Sequence, residues 1–288
     1  GIGLIKSKQW LNTDGGTYQI YAYYLSQLDV TGTFADDLDL TNKGYDVQNA
    51  TVGEPSGAWN LSGSLLQANL QTPASTWALT TGGIIQQLNV KGTLSNVIQA
   101  AAVSSVKVVG DTNGAVIQTD ATYNKRFLQV GRISVTGAMT NSVIFSAGNI
   151  GTISAGSMSG SRIYAGVALA TAQAGTLPTD LTDFTDNARI TSVSVGNGAS
   201  SFSESQINAE TIGSLRLGGI SDDSSGASEG IAAHTITSLS ATLNGKTRLA
   251  LNSTAFRATK TTASADVLTA YLTKKGITLP TGFVIDLY

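Results

Sequence analysis

The stretch Ile85-Gln86-Gln87-Leu88-Asn89-Val90-Lys91-Gly92 returns as Ile212-Gly213-Ser214-Leu215-Arg216-Leu217-Gly218-Gly219, and looser copies recur along most of the chain. Its first core position is read at Leu28, Trp59, Leu88, Val106, Ile133, Ile153, Val193, Leu215 and Leu239. An apolar partner stands two residues later, from Val30 and Leu61 through Val195 and Leu217 to Ala241. A spacing of two puts both side chains on one face of a strand. Three residues upstream of most cores stands another aliphatic, among them Leu25, Ile85, Val103, Val130, Ile150, Ile190, Ile212 and Ile236. A step of three would change faces in a regular strand, so a bend or bulge is expected between the two.

A second phrase precedes the first by a fixed interval: Gln19-Ile20-Tyr21-Ala22, Val97-Ile98-Gln99-Ala100, Gln206-Ile207-Asn208-Ala209 and Gly230-Ile231-Ala232-Ala233. Val143-Ile144-Phe145-Ser146 and Arg162-Ile163-Tyr164-Ala165 keep its Ile. One repeat therefore holds at least two short strands. Glycine falls four residues after the first core at Gly32, Gly63, Gly92, Gly110, Gly137 and Gly219, where corners with positive φ are expected. Asn113-Gly114, Asn197-Gly198 and Asn244-Gly245 add turn signals.

Regular cores stand 18 to 24 residues apart. Such a period is the mark of a solenoid, in which each unit buries its apolar face against the next. Its perimeter suits a three-faced, right-handed parallel β-helix, an all-β fold. The repeats are expected over 18–245, with an insertion near 167–188, after an N-terminal segment at 1–17. Residues 246–288 are expected to cap or dock the end: Ser264 to Gly276 reads as an amphipathic helix, with Ser264 as N-cap and Gly276 after its stop, followed by a strand from Phe283 to Tyr288.

The 288 residues carry 12% charge and a net charge of −2, with no Cys and one His. So little charge leaves walls of Ser, Thr, Asn and Gln, which suit contact with neighbours or glycans. The absence of Cys excludes disulfides and thiolate chemistry. No apolar run is long enough to span a membrane, and no basic cluster suggests nucleic acid. The low-charge, cysteine-free composition points to a secreted or cell-surface setting, and an opening on Gly1 rather than Met fits removal of an export signal or excision from a longer precursor.

The run from Gly148 through Ile150, Ile153 and Met158 to Gly166, together with Ile212 to Gly219, resembles the parallel β-helix repeats of large bacterial surface proteins of planctomycete type. That resemblance implies export and a surface role, and it brings no catalytic residues with it. Polysaccharide-cleaving β-helix enzymes are matched only superficially, at Asn12-Thr13-Asp14 and at Asp222-Asp223. The two acidic groups are some two hundred residues apart in sequence, and His234 lacks flanking glycines. Paired carboxylates must face one bond within about 10 Å.

No catalytic residue is assigned, and no cofactor. Asp180, Asp183 and Asp186 in the insertion are the one set of oxygen ligands that a structural calcium ion could use. Asp36, Asp37 and Asp39 read as an exposed turn. Tyr21 and Tyr23 alternate with inward Ile20 and Ala22, so they should face out; with Phe283, Leu287 and Tyr288 they are the candidate interface residues. The expected function is that of a non-catalytic extracellular structural protein that builds a surface layer or filament by self-association. A carbohydrate-binding adhesin comes next, and a polysaccharide lyase or hydrolase third.

Overall fold

The computed structural model describes residues 1–12, 14, 16, 18–119, 128–185, 187–222, 229–252 and 264–288. The chain is a parallel β-solenoid of about 10 turns, with two short helices. It divides into two compact units, Gly1–Gly137 and Ala138–Tyr288.

In the first unit one wall is built from β1 (Ile2–Ser7), β3 (Leu25–Phe34), β5 (Tyr45–Pro55), β7 (Ser64–Leu70), β9 (Ile84–Val90), β11 (Ala102–Val108) and β14 (Leu128–Val135). A second wall holds β2 (Gln19–Ala22), β4 (Asp37–Leu40), β6 (Ala58–Leu61), β8 (Ala78–Thr81), β10 (Val97–Ala100) and β13 (Val116–Thr119). A two-residue strand, β12 (Thr112–Asn113), marks a third side.

The bend inferred from the spacing is present. In β9 the order is buried Ile85, two outward glutamines, buried Leu88, outward Asn89 and buried Val90. Every rung bends at the same place, so like positions stack: Leu25, Val47, Leu65, Ile85, Val103 and Val130 form one inward rank. Leu28, Ala50, Ala68, Leu88, Val106 and Ile133 form the next. Each large member contributes roughly 1.5–3 kcal/mol by burial.

Trp59 is not in this rank. It sits on the second wall, between Leu38 and Leu79. Its rings pack edge-on against Phe34 and Trp77, with centroids 6.4 and 5.7 Å away. Small Ala50 and Ala68 occupy the positions that the repeat pattern leads one to seek in large aliphatics. The N-terminal segment expected at 1–17 already contains a rung strand, since β1 pairs in parallel with β3.

In the second unit the first wall is β17 (Asn149–Ala155), β20 (Arg189–Val195), β23 (Thr211–Ile220), β25 (Thr235–Leu243) and β26 (Thr247–Asn252). The second is β16 (Val143–Ser146), β19 (Arg162–Ala165), β22 (Gln206–Ala209), β24 (Glu229–Ala233) and β27 (Phe283–Leu287). The third is β15 (Ala138–Thr140), β18 (Ser157–Ser159) and β21 (Phe202–Ser203), continued by the end of β23. The helices are α1 (Leu169–Ala174) and α2 (Ser264–Lys275). The expected C-terminal helix is α2: Gly276 follows it at φ 61°, and Gly276 and Ile277 donate back to Thr273 and Leu272.

Among the described strands, β25 and β26 pair antiparallel. Asn244 (φ 48°) and Gly245 (φ 65°) both take left-handed conformations, and Lys246 N–H bonds the Leu243 carbonyl at 3.0 Å. That geometry is a tight primed turn, which reverses the chain and lays β26 antiparallel on β25.

The corner glycines have a different cause from the one expected. Of Gly32, Gly63, Gly92, Gly110, Gly137 and Gly219, Gly110 alone has a left-handed φ. The others are glycine for space. A Cβ on Gly63 would lie 2.2 Å from the Asn42 carbonyl, and one on Gly219 would lie 1.9 Å from that of Ala199.

Candidate functional site

At the start of the first unit, β1 and β2 are each hydrogen-bonded to a strand on one side only. Such edges carry unpaired backbone donors and acceptors. Ile20 and Ala22, which stack on buried Leu38 and Leu40 of the next rung, are half-buried. The first 24 residues hold Leu4, Leu11, Tyr18, Tyr21, Tyr23 and Tyr24, six of the 13 large exposed apolar side chains among the described residues. Tyr21 is 71% exposed and Tyr23 57%, as the alternation with Ile20 and Ala22 requires. Tyr23 and Tyr24 meet edge to face at 6.2 Å.

Polar contacts hold this rung in place. Trp10 Nε1 donates to Asp36 Oδ2 at 2.6 Å, Ala58 N–H to Asp37 Oδ1 at 2.6 Å, and Gln19 Nε2 to Asp39 Oδ2 at 3.2 Å. The Asp36, Asp37 and Asp39 cluster is therefore a set of staples between rungs, and Asp36 is buried rather than part of an exposed turn. Tyr18 Oη donates to Asp14, which holds that carboxyl below its usual value, with a further bond from Gly16 N–H.

On β27 the inward apolar side chains are covered. Phe283 and Leu287, expected as contact residues, are 4% and 5% exposed. Strict alternation in β27 turns them inward with Ile285, leaving Val284 outward. Phe283 packs edge-on against Phe202 at 6.2 Å. Helix α2 packs against β27, and Leu268 is buried. Tyr288 is tied down, its Oη donating to the Pro178 carbonyl and its backbone oxygen accepting from His234 Nδ1. Burial and nearby Asp286 push the Tyr288 hydroxyl up to about 12.

The insertion folds over the second wall of the second unit. Val167 pairs with Phe184 across its neck, and Thr185 N–H bonds the Gly166 carbonyl at 2.7 Å. Beneath it, β22 and β24 are buried on both faces. Tyr164 Oη donates to Gln206 Oε1 at 3.0 Å, and Gln206 Nε2 donates to the Gly175 carbonyl at 3.0 Å. Burial raises the Tyr164 hydroxyl to about 12. Asn208 is fully buried there, with neither amide atom hydrogen-bonded.

The insertion's acids act within the loop. Asp183 accepts from Thr179 N–H at 2.6 Å and from Thr171 Oγ1 at 2.9 Å; the first of these bonds chiefly lowers its pKa. Asp180 caps the short 3-10 turn at Leu181–Asp183 by accepting from Thr182 N–H at 2.7 Å. Asp186 lies outside the described residues. Among those described, no three His, Cys, Asp or Glu side chains gather as a metal site.

The residues matched to polysaccharide-cleaving enzymes are likewise local staples where they are described. Asp222 Oδ1 accepts from Thr281 N–H at 2.6 Å and Oδ2 from Asn244 Nδ2 at 3.1 Å, which lowers its pKa. Thr13 and Asp223 lie outside the described residues. No helix among the described residues is long and apolar enough to cross a membrane.

The outward ranks of the first wall are a feature that the repeat reading did not isolate. In the first unit they begin largely as amides, Gln27, Asn49, Gln67 and Gln87, beside Asp29, Thr51, Asn69 and Asn89, and continue as Ser105 and Arg132 beside Lys107 and Ser134 in β11 and β14. Asn89 Nδ2 donates to Asn69 Oδ1 at 2.8 Å. In the second unit they are hydroxyls, Thr152, Ser192, Ser214 and Ser238, beside Ser154, Ser194, Arg216 and Ser240. Aligning the polar residues between the cores at a single register would have exposed both ranks.

No protein-family model, curated protein or solved structure matches this chain.

Proposed function

We propose that the chain is a non-catalytic extracellular structural protein whose building unit is a pair of copies joined through their first rungs, from which a surface layer or filament is assembled. The observation that carries this reading is the set of exposed apolar side chains on the rung of β1 and β2, Tyr21 and Tyr23 foremost, while Phe283, Ile285 and Leu287 of β27 are buried. Exposed apolar surface rimmed by polar residues marks a contact site. A second copy suits it because it offers the same tyrosines, and the low net charge of −2 opposes association only weakly. A contact of one patch with itself closes as a dimer, so a layer or filament would use further contacts on the polar walls. The resemblance of the repeats to those of planctomycete-type surface proteins supports an exported, surface setting.

Light scattering across a concentration series tests the reading. The 288-residue chain is expected to reach the mass of a dimer or higher, and Tyr21→Ser with Tyr23→Ser to return it to the monomer with unchanged circular dichroism. A chain that stays monomeric at high concentration overturns the proposal and brings the carbohydrate-binding adhesin forward.

A further inference from the structure

The hydroxyl rank of the second unit is broken once, by Arg216 between Ser194 and Ser240. Beside it the register of β23 on β25 slips between Arg216 and Gly219, the mark of a bulge, and a cleft of about 190 Å³ opens. Asn197, Arg216, Ser240, Thr242 and Arg248 line it, over a floor at Gly218. Arg248 stands on β26 directly opposite Thr242. Arg216 and Arg248 are thus two strands and two residues apart, roughly 12 Å at ordinary strand spacing and rise, within reach of two long side chains converging on one group. Neither guanidinium makes an ion pair or hydrogen bond among the described residues, and no acidic side chain lines the cleft.

The rim is fixed in advance. Ser201 Oγ donates to the Gly196 carbonyl at 2.6 Å and accepts from Gly219 N–H at 3.0 Å, clamping the turn that presents Asn197 onto β23. Gly219 N–H also reaches the Gly198 carbonyl at 2.8 Å. Neighbouring Ser194 and Ser240 are small and leave the Arg216 fork room to turn.

We infer that this cleft binds an anionic sugar unit of an acidic polysaccharide, its carboxylate or sulfate taken by Arg216 and Arg248 and its hydroxyls by Asn197, Ser240 and Thr242. Guanidinium groups match carboxylate and sulfate oxygens with paired donors. The volume is below the roughly 300–1,000 Å³ of sites for whole drug-sized ligands, so it suits one sugar unit of a chain that continues along the wall. The serine rank supplies further hydrogen bonds along that path. Two arginines in a chain of net charge −2 are too few for the extended basic surface that nucleic acid or an anionic membrane engages.

The test is calorimetric titration with oligogalacturonate and with a sulfated glycosaminoglycan, beside a neutral glucan, inorganic phosphate, single-stranded DNA and phosphatidylserine vesicles. The variants are Arg216→Ser, which restores the residue of the flanking rungs, and Arg248→Thr. The chain is expected to bind at least one acidic glycan more tightly than every control, and either variant to weaken it at least tenfold with unchanged melting and unchanged light scattering. Equal binding by Arg216→Ser and the parent, no binding to either acidic glycan, or equal binding of phosphate, DNA or vesicles would overturn the inference. Because association is followed separately, the pairing proposal can fail while this one stands.

Discussion

The second wall is built from the same kind of strand in both units, yet its outer face is wet in one and roofed in the other. In β10 outward Val97 and Gln99 are exposed while Ile98 and Ala100 are buried. In β22 all four residues, Gln206 to Ala209, are buried, because the insertion between Gly166 and Arg189 lies on top. The inward rank is indifferent to this difference: Leu79, Ile98 and Ile117 in one unit correspond to Ile163, Ile207 and Ile231 in the other. The outward rank is not. Asn60, Thr80 and Gln99 give way to Tyr164, Asn208 and Ala232, all three fully buried. A repeat thus dictates its core, while the second layer decides what the outer face must be.

The largest expected effect separates the two faces directly. Tyr164→Ala should cost about 3–5 kcal/mol, as for other large buried rings. Gln99→Ala, at the same outward position in the first unit, should stay within about 0.5 kcal/mol. Denaturant melts of both variants check this, and comparable losses would mean that the insertion does not cover its wall.

Next comes the inward rank of the early rungs. Ala68→Leu should cost about 1–3 kcal/mol through overpacking, because Leu88 already fills the adjacent rung. If thermal melting shows stabilisation instead, a void lies beside Ala68 and the packing described is wrong.

The smallest effect is one of pH. The Asp183 carboxyl is held below its ordinary value chiefly by the Thr179 N–H, so its contribution to anchoring the insertion is complete above about pH 4 and fades as the pH falls further, through its folded pKa. Hydrogen-exchange protection over residues 167–185, taken relative to the intrinsic rate at each pH, should therefore fall on acidification below that point. In Asp183→Asn, exchange there should already be faster at neutral pH, with a weaker acid dependence; an unchanged profile would show that Asp183 is not the anchor.

These contrasts also separate what could be read in the sequence from what could not. Leu88, Val106, Val193 and Leu215 announced their wall because large aliphatics recur two and three residues apart with glycine after them. Rungs carrying Ala50 and Ala68 were hidden, since alanine is no signal of burial, and Trp59 drew the pattern onto the wrong wall. Tyr21 of β2 and Tyr23 just after it were legible as outward from alternation alone. Phe283 and Leu287 were not placed correctly, because alternation gives two faces without saying which is inside; Ile285, stacked beside Ile231, decides it. The roof over Gln206 and Asn208 leaves no trace in the period, being a contact between segments about thirty residues apart. Arg216 was visible within the core phrase, but its cleft depends on Arg248, which a hairpin brings alongside.

The pairing of first rungs is tested most directly by spin labels, which the cysteine-free chain accepts at single engineered positions. Tyr21 and Gln99 share one outward rank, with Asp39, Asn60 and Thr80 between them, so Gln99 lies four rungs farther from the open edge. At about 4.8 Å per rung, two copies joined end to end should give a Gln99→Cys label separation roughly 40 Å longer than that of Tyr21→Cys. A short distance at Tyr21 with a correspondingly long one at Gln99 is the expected result. Absence of coupling between Tyr21 labels in concentrated protein, or a shorter distance at Gln99 than at Tyr21, would contradict it.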